Sequence, residues 1–334
     1  YGYGLGVGFV AMQLYVYARL HIPWNTTNIL LPWILFFAIF YFLKKKQMRF
    51  FTTFPPKAGK QNDEGTRFRI KSGMTRMRKI DIVSVLLLIG IGITAGYVLF
   101  EALLRPVAVW DGWAIWLLKS KVFFIDGTIC PQTLAYVGAE YPLVISLFGT
   151  FIYIMLGEVD DTAVLLTSFA FYIFLALAFF ATLRKNFGTT YALFFTFLLV
   201  TVQNFVRHGG RLESGQADLP LGYFIFCSTM LFLAYYKTMS WKALFLLSIF
   251  LGITGSIKNE GIFFTITIGV FIAYAILKNK TYKHLFFLLF WILPLIDWYA
   301  YKTVHHLSAI APRTFGFSLQ HALSVVYSMV KEFL

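Results

Sequence analysis

Cysteine is almost absent from this sequence, with Cys130 and Cys227 the two in 334 residues. That excludes a disulfide scaffold and a cysteine-rich zinc or iron–sulfur site. Charge is scarce too: 13% of residues are Asp, Glu, Lys or Arg, against roughly 25% in an ordinary soluble domain. A disordered chain needs high charge and low hydrophobicity, so disorder is excluded. Acids are scarcest of all, at 15 against 29 Lys and Arg. Walker, Gly-x-Ser-x-Gly and His-Glu-x-x-His motifs are missing, and with them their simplest chemistries. What is present is apolar. Some 59% of the chain is hydrophobic and 19% aromatic, more than one soluble core of this size can hide.

The sequence therefore reads as an all-α, polytopic helical membrane protein. A span needs about 20 mostly apolar residues. Ten candidates stand at 3–20, 29–43, 82–104, 162–183, 190–206, 219–236, 242–257, 261–277, 284–301 and 319–334, an expectation of about 9–10 transmembrane helices. No alternating ten-residue strand pattern repeats, which argues against a barrel. The chain begins inside an apolar stretch without an initiator Met, as a piece of a longer protein would.

The net charge of +14 is unevenly spread. Residues 44–80 hold twelve Lys and Arg against Asp63 and Glu64. The positive-inside rule makes this a cytoplasmic loop, and its basicity a topology signal that also touches anionic lipid, with no part in nucleic acid binding. The expected organisation is two N-terminal helices over 1–43, the basic loop 44–80, a transmembrane module over 81–304 with an external loop at 105–161, and an external loop and last span over 305–334. This orientation requires the short apolar stretch 142–156 to be interfacial or re-entrant. Functional chemistry is then expected on the extracytoplasmic face, of the cytoplasmic (inner) membrane.

Four motifs fall on that face. Trp110-Asp111-Gly112-Trp113 with Trp116 predicts an interfacial amphipathic helix whose Lys119 and Lys121 snorkel to headgroups. Asp111 reads equally as the N-cap of that helix or as a carboxylate poised near a lipid headgroup. Glu140-Tyr141-Pro142 places an acid before a helix-starting proline. The segment 207–218 packs Arg207, His208, Arg211, Glu213 and Asp218 among glycines. It reads as an internally paired loop or as a ligand contact. Lys258-Asn259-Glu260-Gly261 sets charges between two apolar helices, at a depth where charge is costly. His305, His306 and Arg313 follow, with spacing poorly suited to a zinc site. Acids suit general base work or a divalent metal, and cations suit a departing phosphate. Together they describe transfer from a lipid-linked phosphate.

The order of these motifs resembles the GT-C superfamily of integral-membrane glycosyltransferases, in the branch of the protein O-mannosyltransferases and the lipid A aminoarabinose transferase. The resemblance runs from about Ile82 to about Tyr301, with Asp111-Gly112 standing where the mannosyltransferases carry an acidic pair. It implies a polyprenyl-phosphate sugar donor, a glycan, lipid or protein acceptor, and inversion at the anomeric carbon. By the match Asp111 is the candidate general base. Lys258 is a candidate phosphate contact, joined on the same face by Arg207, Arg211, His208 and Glu260. Glu140 and Asp218 are candidate donor-sugar or metal contacts, and a divalent metal ion is left open. The competing readings are a transporter, flippase or polymerase for polyprenyl-linked saccharides, and a membrane scaffold recruiting a partner through the basic loop.

Overall fold

The computed structural model describes residues 1–52 and 81–307. Most of the basic loop, with Arg313 and the expected last span, lies outside them. Every regular element among the described residues is helical. The order is α1 (Gly2–Arg19), α2 (Thr26–Thr52), α3 (Ile82–Leu104), a π-helical stretch Asp111–Leu117 running into α4 (Leu118–Asp126), α5 (Pro131–Tyr136) and α6 (Val144–Leu156). Then come α7 (Asp161–Phe187), α8 (Thr189–Thr201), α9 (Gln203–Gly210), α10 (Asp218–Thr238), α11 (Trp241–Gly255), α12 (Asn259–Lys278), and a 3-10 stretch Tyr282–Leu288 entering α13 (Leu289–Val304).

Among the described residues, five helical stretches are long and apolar enough to cross a membrane by themselves: α3, α7, α10, α12 and Tyr282–Val304. The expected span 190–206 is in fact α8 and α9, bent by 68° at Val202. Taken as one broken span, the pair makes a sixth. At about 1.5 Å per residue, α11 with its 15 residues is shorter than a hydrocarbon core of about 30 Å, yet it carries the chain along α10 from the end marked by Tyr235 and His284 back to Ser256 at the opposite end. With 13 residues, α6 is shorter still, and 142–156 is too short for a full span. Large apolar side chains such as Phe36, Phe37, Ile93, Phe263 and Val270 stand exposed along the helices. A soluble monomer rarely exposes so much; a bilayer covers it. The protein is a polytopic helical membrane protein.

The centre of the bundle is α10, whose apolar window is 50% buried, against 6% for the peripheral α3. Tyr223, Phe224, Cys227 and Tyr235 of α10 pack with Phe171 and Tyr172 of α7 and with Leu247 and Phe250 of α11.

Hydrogen bonds sort the polar residues to two ends. At one end, Asp81 caps α3 and accepts from Thr190, while Tyr235 meets His284. At the other, the Ser256 carbonyl accepts from the Val144 amide, Tyr301 donates to the Ile129 carbonyl, and Lys258 meets Asp218. The α11–α12 turn is tight because Gly261 backs onto the Thr254 carbonyl, where a Cβ would collide. Gly210 lets α9 press onto the Val98 carbonyl of α3 in the same way. Both contacts draw loops into one polar end, which carries every candidate site residue within the described chain.

Candidate functional site

Asp111 opens a π-helix, the wide i→i+5 turn often found at functional positions. Trp110 precedes the helix and no side chain caps it, so Asp111 is not an N-cap. Among the described residues its carboxylate has no hydrogen bond or ion pair, and it is exposed. The wide turn also corrects the expected amphipathic stripe. Residues three apart spread around the axis instead of sharing one face: Trp110 is 61% exposed and Trp116 is 2% exposed.

Lys119 and Lys121 do not snorkel. Trp116, Lys119, Ser120 and Phe123 form the buried stripe of the π-helix and α4. Lys119 is fully buried, with its Nζ 5.2 Å from the Trp116 ring centre and 5.7 Å from that of Tyr141. Among the described residues it has no hydrogen-bond acceptor. Burial pulls its pKa down to about 8, opposed by the charge of Glu140 and assisted by that of Lys302. Lys121 points elsewhere and donates to Asp161 at 2.7 Å. Lys119 is the residue that sequence reasoning missed. The signal was its place three residues after Trp116, on the apolar stripe.

Glu140 lies in a turn that ends at Val144, where α6 begins, so Pro142 does not start the helix. Gly138 adopts a left-handed φ of 88° beneath the Glu140 carboxylate. One carboxylate oxygen, Oε2, is buried without a partner among the described residues. The Tyr141 ring packs on Trp116 at a tilt, 5.3 Å between centres. Burial raises the pKa of its hydroxyl, Lys258 opposes the shift, and Glu260, Asp111 and Glu140 add to it.

Asp218 begins α10 and Lys258 caps α12, forty positions apart in the chain but 2.9 Å apart in space. Glu260 stands 3.5 Å from the same ammonium. Burial works against the charge on Lys258, but the Asp218 hydrogen bond and the two carboxylates outweigh it and raise its pKa. With its side chain 16% exposed, Lys258 is a held cation that still reaches the surface.

The arginines are engaged elsewhere. Arg207 pairs with Glu213, so the internally paired reading of that loop describes it. Arg211 lies 3.9 Å from Glu101, which also accepts from Arg105. His208 bonds the Asn204 carbonyl through Nδ1 at 2.8 Å. The structure therefore joins Asp218, Lys258 and Glu260 in one charged group and packs Gly112, next to Asp111, against the Ser214–Gly215 backbone that leads to Asp218, and it leaves Arg207, Arg211 and His208 in their own contacts. Among the described residues, no three His, Cys, Asp or Glu side chains are arranged to hold a metal.

Beside this cluster opens a cavity of about 400 Å³ between α1, α6, α11 and α13. Gly8, Met12, Leu147, Ile253 and Leu293 give its apolar character. Its polar end reaches Pro142 and Ser256, the immediate neighbourhood of Tyr141 and Lys258 in the chain. An apolar slot whose end lies two residues along the chain from a cation suits an amphiphile with a long chain and an anionic head.

Residues 140–298 match the model of the dolichyl-phosphate-mannose-protein mannosyltransferase family, a GT-C family. The matched segment holds Glu140, Arg207, His208, Arg211, Asp218, Lys258 and Glu260; Asp111 precedes it. No curated protein and no solved structure matches the chain. The membrane protein is thus similar over this segment to a glycosyltransferase family.

Proposed function

We propose that this protein moves a sugar from a polyprenyl-phosphate carrier to an acceptor hydroxyl, with inversion, at the extracytoplasmic face of the cytoplasmic membrane. The observation that carries the reading is the Asp218–Lys258–Glu260 group at the polar end that also holds Asp111 and Glu140, close to an apolar cavity. The cavity takes the first part of the polyprenyl chain, and the phosphate meets Lys258. The family match supports transfer over transport. The basic segment 44–80 supports the orientation, because its cations favour the cytoplasm.

In the reaction the acceptor oxygen attacks C1 of the sugar and gives its proton to Asp111. The C1–O bond to phosphate breaks, and its electron pair leaves with the phosphate. An exposed carboxylate without partners is free to take that proton, and general base catalysis contributes about 10²–10⁴-fold. Lys258 offsets the charge growing on the phosphate, and its two carboxylate neighbours keep it protonated. A divalent ion, where one takes part, would find Glu140 and Asp218 as its oxygen donors, although Asp218 is already engaged by Lys258.

The test uses purified protein in detergent micelles with dolichyl-phosphate-mannose as donor probe and release of dolichyl phosphate as readout. Asp111→Asn should lower turnover by at least ~100-fold, with donor binding retained. Normal turnover of that variant removes Asp111 from the role of base.

A further inference from the structure

A second opening at the polar end takes no part in the reaction as written. It is a pocket of about 330 Å³ between the end of α1, the segment that leads into α5 and the end of α13, a size that suits a small ligand. It is distinct from the apolar cavity: Tyr301 lines the one and Trp298 the other, with their rings stacked at 6.2 Å.

Three side chains rich in donors line this pocket: Arg19, His21 and His305. Tyr301 places two of them. Its hydroxyl donates to the Ile129 carbonyl at 3.2 Å, which fixes the ring. The Arg19 guanidinium lies 5.0 Å from the centre of that ring, and the His305 ring lies 4.4 Å from it. An arginine set on an aromatic face keeps its fork of donors for a second partner. The carboxylate it meets is Asp297, 3.8 Å from Nη2 and beyond hydrogen-bonding distance. Arg19 makes no hydrogen bond among the described residues, and its side chain is 42% exposed.

His21 has a left-handed φ of 55°. It closes α1 in a turn where the Ile22 amide donates to the Tyr17 carbonyl at 2.9 Å. Glycine takes such a position without strain, so the imidazole is what histidine adds there. α13 ends in the same turn, with Leu307 bonded back to the Lys302 carbonyl and His306 left-handed. Both turns satisfy carbonyls at helix ends whose negative poles disfavour an anion. Cys130 also lines the pocket, but its thiol meets Gln132 at 3.0 Å. Among the described residues no three His, Cys, Asp or Glu side chains here are arranged for a metal.

We infer that this pocket binds a phosphate group, with Arg19 pairing to its oxygens and His21 and His305 donating ring N–H bonds to it. Free phosphate and a phospholipid headgroup share that chemistry. The pocket goes beyond the glycosyl-transfer reading and does not depend on it.

The experiment uses the full chain as wild type, Arg19→Gln, His21→Gly, His305→Gln and Asp297→Asn. In zwitterionic micelles, inorganic phosphate is titrated at constant ionic strength while melting is followed, because a ligand of the folded state raises the melting temperature. In nanodiscs of phosphatidylcholine and phosphatidylglycerol, the acidic lipid retained on the protein is counted by native mass spectrometry. The basic segment 44–80 holds acidic lipid in every variant, so the difference from wild type reports the pocket. Arg19→Gln should weaken binding ~10-fold or more, and His21→Gly and His305→Gln by about 2–10-fold each. Asp297→Asn should tighten it, since a competing carboxylate is gone. Without phosphate, His21→Gly should melt at or above the wild-type temperature, so its lost binding is not lost fold. Dependence on Arg19 and His21 seen with phosphate alone assigns a free phosphate, with lipid alone a headgroup, and with both the shared group. No binding of either probe overturns the inference. So does binding that Arg19→Gln and His21→Gly leave unchanged, a loss confined to Arg19→Gln, or unchanged or weaker binding by Asp297→Asn.

Discussion

Lys119 and Lys258 lie at the same polar end, and the fold treats them in opposite ways. Lys258 sits at a helix junction with Asp218 and Glu260 against it. Its pKa is raised, as burial is outweighed by its partners. Lys119 sits in a wall of aromatic rings without an acceptor, and burial takes its pKa down to about 8. One is a paired cation near the surface, where the proposed reaction uses it. The other is a cation whose cost falls on the stability of the polar end. The difference teaches that partners decide what burial does to the same side chain at the same end of a bundle.

The sharpest break of this comparison is Lys258→Met. The loss leaves Asp218 and Glu260 facing each other without a counter-ion and removes the phosphate contact. Turnover of dolichyl-phosphate-mannose should fall by ~100-fold or more, the scale of one lost electrostatic contact to a leaving group, with weakened donor binding. The melting temperature should also fall. Lys119→Met should move stability in the other direction, so a pair of variants that melt alike would erase the distinction.

Filling the cavity tests whether Lys258 serves a lipid. Met12 lines the cavity from α1 and is 39% exposed, so a larger side chain there does not disturb the core. Met12→Trp should raise the KM for a long-chain donor by about tenfold, the value of roughly 1.4 kcal/mol of lost binding. A short-chain donor, whose tail does not reach that far, should be handled as before. Equal effects on both donors would place the chain elsewhere.

Lys119 also gives the comparison a pH signature. Its pKa in the folded protein, about 8, lies below the unfolded value of about 10.4. Between those values the unfolded chain binds more protons, so stability rises with pH across that window. Below pH 8 the penalty of the buried charge is fully present. Melting curves of the wild type should therefore approach those of Lys119→Met as the pH is raised from 8 to 10.5. A constant gap would show that the ammonium is not desolvated.

Much of this was legible in the sequence, and the gaps have physical causes. The spans α3, α7, α10 and α12 follow from apolar runs of sufficient length, and the short run before Leu156 from its deficit. The break at Val202 left no mark, because neither Val202 nor Gln203 is a helix breaker and the bend is set by α9 packing on α3 and α7. Asp111 was legible as a candidate. Its role at the head of a π-turn was not, since the tryptophan spacing fits an α-helix equally well. The Asp218–Lys258 pair spans forty residues and two helices, a tertiary fact that no local pattern encodes. The burial of Lys119 was hidden by habit: a lysine beside an interfacial aromatic usually reaches outward. Only the packing of α4 against α6 turns this one in.

The smallest expected effect belongs to Lys121, two residues from Lys119 on the same helix. Its ammonium meets Asp161 at 2.7 Å, and both side chains are about one-third exposed. Asp161 also accepts from the Tyr153 hydroxyl, so it keeps one partner when Lys121 is lost. Partly exposed pairs of this kind contribute about 0.2–1 kcal/mol. Lys121→Met should therefore shift the melting temperature by no more than a few degrees and leave donor turnover unchanged. It carries the same substitution as Lys119→Met, on the same turn of α4, with the same gain in apolarity. If it nevertheless moved stability as far as Lys119→Met, the change in both would come from the added methionine or from a displaced α4, and burial would no longer distinguish the two lysines.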